Sequence, residues 1–201
     1  MVGHLRYSGK GDVVQRAALL QIVRAEPLLM EVLYGLRDEA LPDWLLVAGA
    51  IYNSVWNRLT ERPRLTGIRD IDVFYFDDRD LSYEAEDVVI RRLAKRFAHL
   101  SLPVEPRNQA RVHLWFPEKF KQPFKPLTSS GEMLLRYASK THAVALRLEA
   151  DDTVSVLAPF GLDDIFSFRI TPNRVLQNEP AHTAKGARAK AVWPEIVVEP
   201  W

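Results

Sequence analysis

Ile68-Arg69-Asp70-Ile71-Asp72-Val73-Phe74-Tyr75-Phe76 carries two aspartates one residue apart inside an apolar run. In a β-strand, residues i and i+2 share a face, which puts Asp70 and Asp72 on one side with Ile68, Phe74 and Phe76, and Ile71, Val73 and Tyr75 on the other. The stretch therefore predicts a strand apolar on both faces that carries two neighbouring carboxylates. Burying one unpaired carboxylate costs several kcal/mol, and two repel each other, so the pattern asks for a cation between them or cationic partners around them. A divalent metal meets that demand; the alternative is a pair of solvated aspartates at an exposed strand edge.

Upstream, Trp44-Leu45-Leu46-Val47-Ala48 predicts a short buried strand, followed at once by Gly49 and a helical spacing of Ala50, Ile51, Ser54, Val55 and Leu59. A strand that turns through a glycine into a helix presents free backbone N–H groups beyond the strand end, a place suited to phosphate. The loop 61–67 then leads into the aspartate strand, and its arginines read as solvated.

The chain has 201 residues, 47% hydrophobic and 26% charged, with net charge +1. It can bury one substantial core. It has no cysteine, which excludes disulfides, thiolate metal sites and cysteine catalysis. No apolar run reaches a membrane-spanning length, and charged residues follow Met1 closely, so a cytoplasmic protein with no membrane partner is expected. Charge is unevenly spread. Residues 70–90 hold eight acids against Arg79, and residues 91–125 hold nine bases against Glu105 and Glu118. That order suits a site with cations on one side and an anionic ligand on the other. An RNA-binding reading of the basic span has no stacking positions visible on a strand pattern.

Elsewhere, Val13 to Leu36 predicts helix, kinked or divided at Pro27. Tyr83 to Ala98 predicts helix; Leu102 to Glu105 and Arg111 to Phe116 predict strands, the first short or at an edge because of Pro103 and Pro106. A helix is expected after Thr128-Ser129-Ser130, and Ala143–Leu148 with Thr153–Leu157 predict a hairpin. Residues 1–171 are expected to form the domain and 172–201 a tail packed on it, anchored by Trp193 and Trp201. The histidines show no metal-ligand spacing. A covalent aspartyl mechanism is disfavoured because Asp70 and Asp72 begin the apolar strand instead of following it.

Taken together, Ala48-Gly49-Ala50, Asp70-Ile71-Asp72-Val73, Asn108-Gln109-Ala110-Arg111-Val112-His113, Thr128-Ser129-Ser130 and Ala158-Pro159-Phe160-Gly161-Leu162-Asp163-Asp164 resemble the bacterial nucleotidyltransferase family proteins of the polymerase-beta-like superfamily. The resemblance covers about residues 40–195. It implies an α+β nucleotidyltransferase fold, a mixed β-sheet flanked by helices, and Mg2+ held by Asp70 and Asp72. It implies Glu105 as the third catalytic carboxylate, with Asn108 or Arg111 as alternatives at that edge, and nucleotide contacts from Gly49, Ala50, Asn53 and Arg111. The implied reaction moves NMP from an NTP to a hydroxyl acceptor, which could be a small molecule, a protein or RNA; DNA is not expected. The alternative is a catalytically inactive nucleotide- or partner-binding module of the same fold. Ala48 departs from the family pattern, standing where a small glycine or serine is usual.

Overall fold

The computed structural model describes residues 3–201. Two helices open it, α1 (Asp12–Arg24) and α2 (Pro27–Glu39). Pro27 divides them because it lacks the N–H that a helix interior needs but not a first turn, and it stands at the start of α2. Then come β1 (Leu45–Val47), α3 (Gly49–Leu59), β2 (Ile71–Tyr75), α4 (Tyr83–Arg96) and β3 (Val104–Asn108). Ser82 caps α4 by accepting from the Ala85 N–H, with Glu84 and Glu86 in the first turn and Lys95 and Arg96 in the last, matching the helix dipole at both ends.

The chain continues through α5 (Val112–Phe120), the hairpin β4 (Ala145–Leu148) and β5 (Val154–Leu157), a short α6 (Asp163–Phe166), β6 (Arg169–Ile170), α7 (Glu179–Val192) and β7 (Val197–Val198). The main sheet is mixed, in the order β3-β2-β1-β4-β5. The β2–β3 pair, joined through α4, is parallel; β1 is antiparallel to both β2 and β4. A parallel pair needs such a crossover, whereas β4 and β5 close through a turn. β6 and β7 form a small parallel sheet.

The alternation expected of the aspartate strand is realised from Ile71 onward; Asp70 precedes the strand, and Ile68 enters the main core instead of sharing the Phe74 face. Ile71, Val73 and Tyr75 enter the main core with Leu19, Leu33, Leu46, Ile51, Trp56 and Leu93. Phe74, on the opposite face, packs with Leu45, Val47, Ala48, Leu134 and Ala145. β3 is an edge strand, which accommodates Pro106 in mid-strand, although it runs the full length of β2.

Two expectations are corrected. Arg111–Phe116 is not a strand: a 3-10 turn at Gln109–Arg111 runs into α5, where Val112 and Phe116, four residues apart, turn inward while Leu114 stays exposed. Six alternating residues fit either period, and burial of the i, i+4 pair decided for helix. The segment after Ser130 is a 3-10 helix, Gly131–Arg136. At the C-terminus Trp193 and Ile196 join the main core. Gly67 makes room for Trp193: its φ is +73°, and a Cβ there would lie 2.4 Å from the indole.

Candidate functional site: an acidic–basic cleft at the β1–α3 turn

Between β1, β2 and α7 lies a cleft of about 300 Å³. Asp70 and Asp72 form one wall, Ala48, Gly49 and Asn53 the head of α3, and Lys185 and Arg188 the opposite wall; Tyr52, Tyr137, His142 and Trp193 supply the aromatic lining. Both aspartates are half-buried, between the two situations the stretch allowed.

The turn from β1 into α3 is tight. Ala48 has φ 56° and ψ −114°, a conformation that L-residues avoid and glycine tolerates. It is pinned on both sides: its N–H donates to the Val144 carbonyl at 2.8 Å, and its carbonyl accepts from the Ile51 and Tyr52 N–H groups. Such strain is held only where the surroundings overdetermine it, and here it aims the first turn of α3 at the cleft. Gly49 needs no positive φ; a Cβ there would find nothing nearer than the Tyr52 hydroxyl at 3.8 Å and Asn53 Nδ2 at 3.9 Å. Its missing side chain leaves the backbone open to a ligand.

Electrostatics separates the two walls. Burial, then the charge of Asp70, pushes the Asp72 carboxyl up to about 6, with Glu105 adding to the rise and Lys185 opposing it. Lys185 is depressed, chiefly by burial, and Asp72 partly restores it. No ion pair within 4 Å joins Lys185 or Arg188 to either aspartate. Lys185 Nζ instead stands 5.7 Å from the centre of the Tyr137 ring. Tyr52 and Tyr137 are held protonated by burial, and His142, stacked on Tyr52 at 4.8 Å, is kept neutral by burial.

Of the residues singled out in the sequence, the structure brings together Asp70, Asp72, Gly49 and Asn53. Ala50 does not join them: it is fully buried in the main core. Glu105 pairs in register with Asp72 across the β2–β3 ladder and thus shares its sheet face, but its carboxylate contacts Arg107 at 3.1 Å. Arg111 lies outside the cleft, bonded to the buried Glu86 and to the Leu81 carbonyl, and Asn108 caps the same corner by accepting from the Asp77 and Ala110 N–H groups. Both are engaged in holding β3 to α4. Sequence reading missed Lys185, Arg188, Tyr137 and His142. The one available signal for the two cations was their i, i+3 spacing, which places them on one face of a helix.

Among the described residues, no group of three or more His, Asp or Glu side chains converges to hold a metal. The donor set nevertheless suits Mg2+, which is commonly held by one or two carboxylates together with substrate phosphates. Asp70 and Asp72 are a repelling carboxylate pair that opens onto a cleft with cationic groups opposite, and a divalent ion would relieve that repulsion. No helix among the described residues is long and apolar enough to cross a membrane.

A solved structure determined by NMR, described as a CCA-adding enzyme head domain, is 28% identical with a TM-score of 0.74, over 91% of this chain and 95% of that one. No curated protein matches the sequence. The family model described as nucleotidyltransferase matches residues 35–198, from α2 through the cleft to β7, and on that coverage the chain belongs to the nucleotidyltransferase family.

Proposed function

We propose that the protein transfers a nucleoside monophosphate from an NTP to a hydroxyl acceptor in the cytoplasm, with Mg2+ held by Asp70 and Asp72. The observation that carries this reading is the division of one cleft into an unpaired acidic wall and an unpaired basic wall, with the open head of α3 between them. The structural neighbour's description as a CCA-adding enzyme head domain supports nucleotidyl transfer. We also read residues 172–201 as a segment packed on a domain of residues 1–171, through which Lys185 and Arg188 reach the site.

The residues divide the work by charge. Asp70 and Asp72 would hold Mg2+, which when bound would supply charge neutralisation at the reacting phosphate. Gly49 lets the triphosphate approach the first turn of α3, whose N–H groups and dipole favour anions. Lys185 and Arg188 attract the β- and γ-phosphates and stabilise the charge that builds on the leaving group. Tyr52, Tyr137 and His142 present an uncharged floor that excludes water and gives the base an apolar surface. The acceptor oxygen bonds to the α-phosphorus as the bond to the bridging oxygen breaks, yielding the esterified acceptor, pyrophosphate and a proton. Glu105, in register with Asp72, is the third carboxylate.

One observation favours the second reading, a non-catalytic nucleotide-binding module: Glu105 is turned to Arg107. Incubation with α-labelled NTPs, Mg2+ or Mn2+ and a panel of hydroxyl acceptors decides between them. The transferase reading expects label on an acceptor with wild type and none with Asp70→Asn. Nucleotide binding with no transfer to any acceptor would leave the binding module; label transfer unchanged in Asp70→Asn would remove the assignment of the site.

A further inference from the structure

None of the basic residues of the span 91–125 lines the cleft, and folding sets exposed aromatic residues beside them. Around the edge of β3 runs a second groove of about 430 Å³ lined by Tyr83, Ile90, Arg107, Arg111, Trp115 and Lys119. Two exposed aromatic residues line it, Tyr83 (59% exposed) on α4 and Trp115 (39%) on α5, and Phe120 (43%) lies beside Trp115 with ring centres 6.4 Å apart. Each lies under a cation. The Arg111 guanidinium stands 5.7 Å from the centre of the Tyr83 ring, and Lys119 Nζ lies 5.5 Å from both the Trp115 and Phe120 ring centres. Glu86, which lines the groove, is matched by Arg111, and Glu105 behind it by Arg107; Glu84 beside Tyr83 and Glu118 beside Lys119 are exposed and join no ion pair within 4 Å among the described residues. Lys119, Lys121 and Lys125 are exposed, and no ion pair within 4 Å engages them among the described residues. Three free lysines against two free acids leave a small positive surplus beside flat aromatic faces, and exposed large aromatics gathered in one place mark an interaction surface.

We propose that this groove docks single-stranded RNA and delivers its terminal ribose hydroxyl to the cleft. Stacking of bases on Tyr83, Trp115 and Phe120 with lysines along the backbone is the chemistry by which single strands are held without sequence readout. An extended peptide finds few backbone partners at the free edge of β3, because Pro106 has no N–H to offer and the Asn108 N–H is already taken by Glu86. The path is short: Arg107 at the groove lies two residues along β3 from Glu105, about 7 Å, and Glu105 pairs in register with Asp72. The delivery half of the proposal rests on the transferase reading; the docking half does not.

The test is fluorescence anisotropy of a 5′-labelled single-stranded RNA 12-mer with the full chain, without nucleotide or metal, across a salt series. Binding is expected to weaken as salt rises. Trp115→Ala and Tyr83→Ala are each expected to weaken it about tenfold, Trp115→Phe to retain it, and Lys119→Gln to flatten the salt slope by about 0.7. Circular dichroism confirms that these surface variants fold. The proposal is overturned if the RNA does not bind, if DNA of the same sequence binds as tightly, or if neither aromatic truncation changes the affinity. The two readings fail separately. RNA binding with no label transfer by wild type removes the transferase and leaves the dock, whereas transfer to another acceptor without RNA binding removes the dock alone.

Discussion

Glu86 and Arg111 meet directly at the end of β3, while Asp72 and Lys185 face each other across the cleft without closing an ion pair. The residue types are nearly the same and the outcomes are opposite. Glu86 is 7% exposed and fully engaged, one oxygen accepting from the Asn108 N–H at 2.8 Å and the other from Arg111. Such a pair has no valence left for a ligand, and its work is to fasten α4 to the strand. The cleft groups compensate each other only partly and at a distance, which costs stability in the free protein and leaves each side able to take a counter-ion. Satisfied charge here marks architecture, and unsatisfied charge marks the site.

The largest effect that could break this comparison is on stability. Arg111→Ala leaves Glu86 buried without a partner and is expected to cost about 3–5 kcal/mol in denaturant unfolding while nucleotide affinity of the folded fraction is unchanged. A stable Arg111→Ala protein that no longer bound nucleotide would reverse the two roles.

Next comes a pH dependence. Asp72 has a folded pKa near 6 against an unfolded 3.8, so between those values the folded state holds more protons than the unfolded one. Its contribution is fully present below pH 3.8 and is lost as pH rises through 6. In metal-free buffer this removes up to about 3 kcal/mol between pH 4 and 7, and Asp72→Asn is expected to lack that component. Unfolding curves of the two proteins with EDTA would show it, and Mg2+ is expected to restore stability to wild type at pH 8 and not to the variant.

Lys185→Ala is expected to raise the NTP KM about tenfold, with a smaller change for the same nucleoside monophosphate, because the lost contact is to the β- and γ-phosphates. Equal losses for both would move Lys185 away from the polyphosphate. The smallest effect is at the turn. Ala48→Gly relieves a positive φ and is expected to stabilise the fold by about 1 kcal/mol with the cleft intact. A loss of stability would mean that the Ala48 methyl, packed beside Phe74 and Ala145, outweighs the strain.

Local pattern made half of the site legible. Asp72 lies on a period-two strand with Asp70 just before its start, and Gly49 follows an apolar strand within one residue, so short-range geometry places them without a fold. The basic wall is a tertiary fact. Lys185 and Arg188 sit in an Ala- and Lys-rich helix that is expected to pack on the domain, yet nothing in its sequence says which surface it meets; β6 and β7 and the seating of Trp193 over Gly67 bring α7 against the cleft. Arg111 misled in the other direction: its motif is nucleotide-like, yet only the approach of α4 reveals Glu86 as its partner. The strand expected at 111–116 failed because alternation over six residues is shared by a helix whose i and i+4 positions turn inward, as Val112 and Phe116 do.

The central claim, that the half-buried aspartate pair is a cation platform opposed by a phosphate-holding wall, is tested most directly by Mn2+ binding followed by electron paramagnetic resonance, with and without a non-hydrolysable NTP. Wild type is expected to bind Mn2+ more tightly when nucleotide is present, Lys185→Ala to lose most of that enhancement, and Asp72→Asn to lose the site. Mn2+ binding by Asp72→Asn equal to wild type, with the nucleotide enhancement intact, would contradict the account.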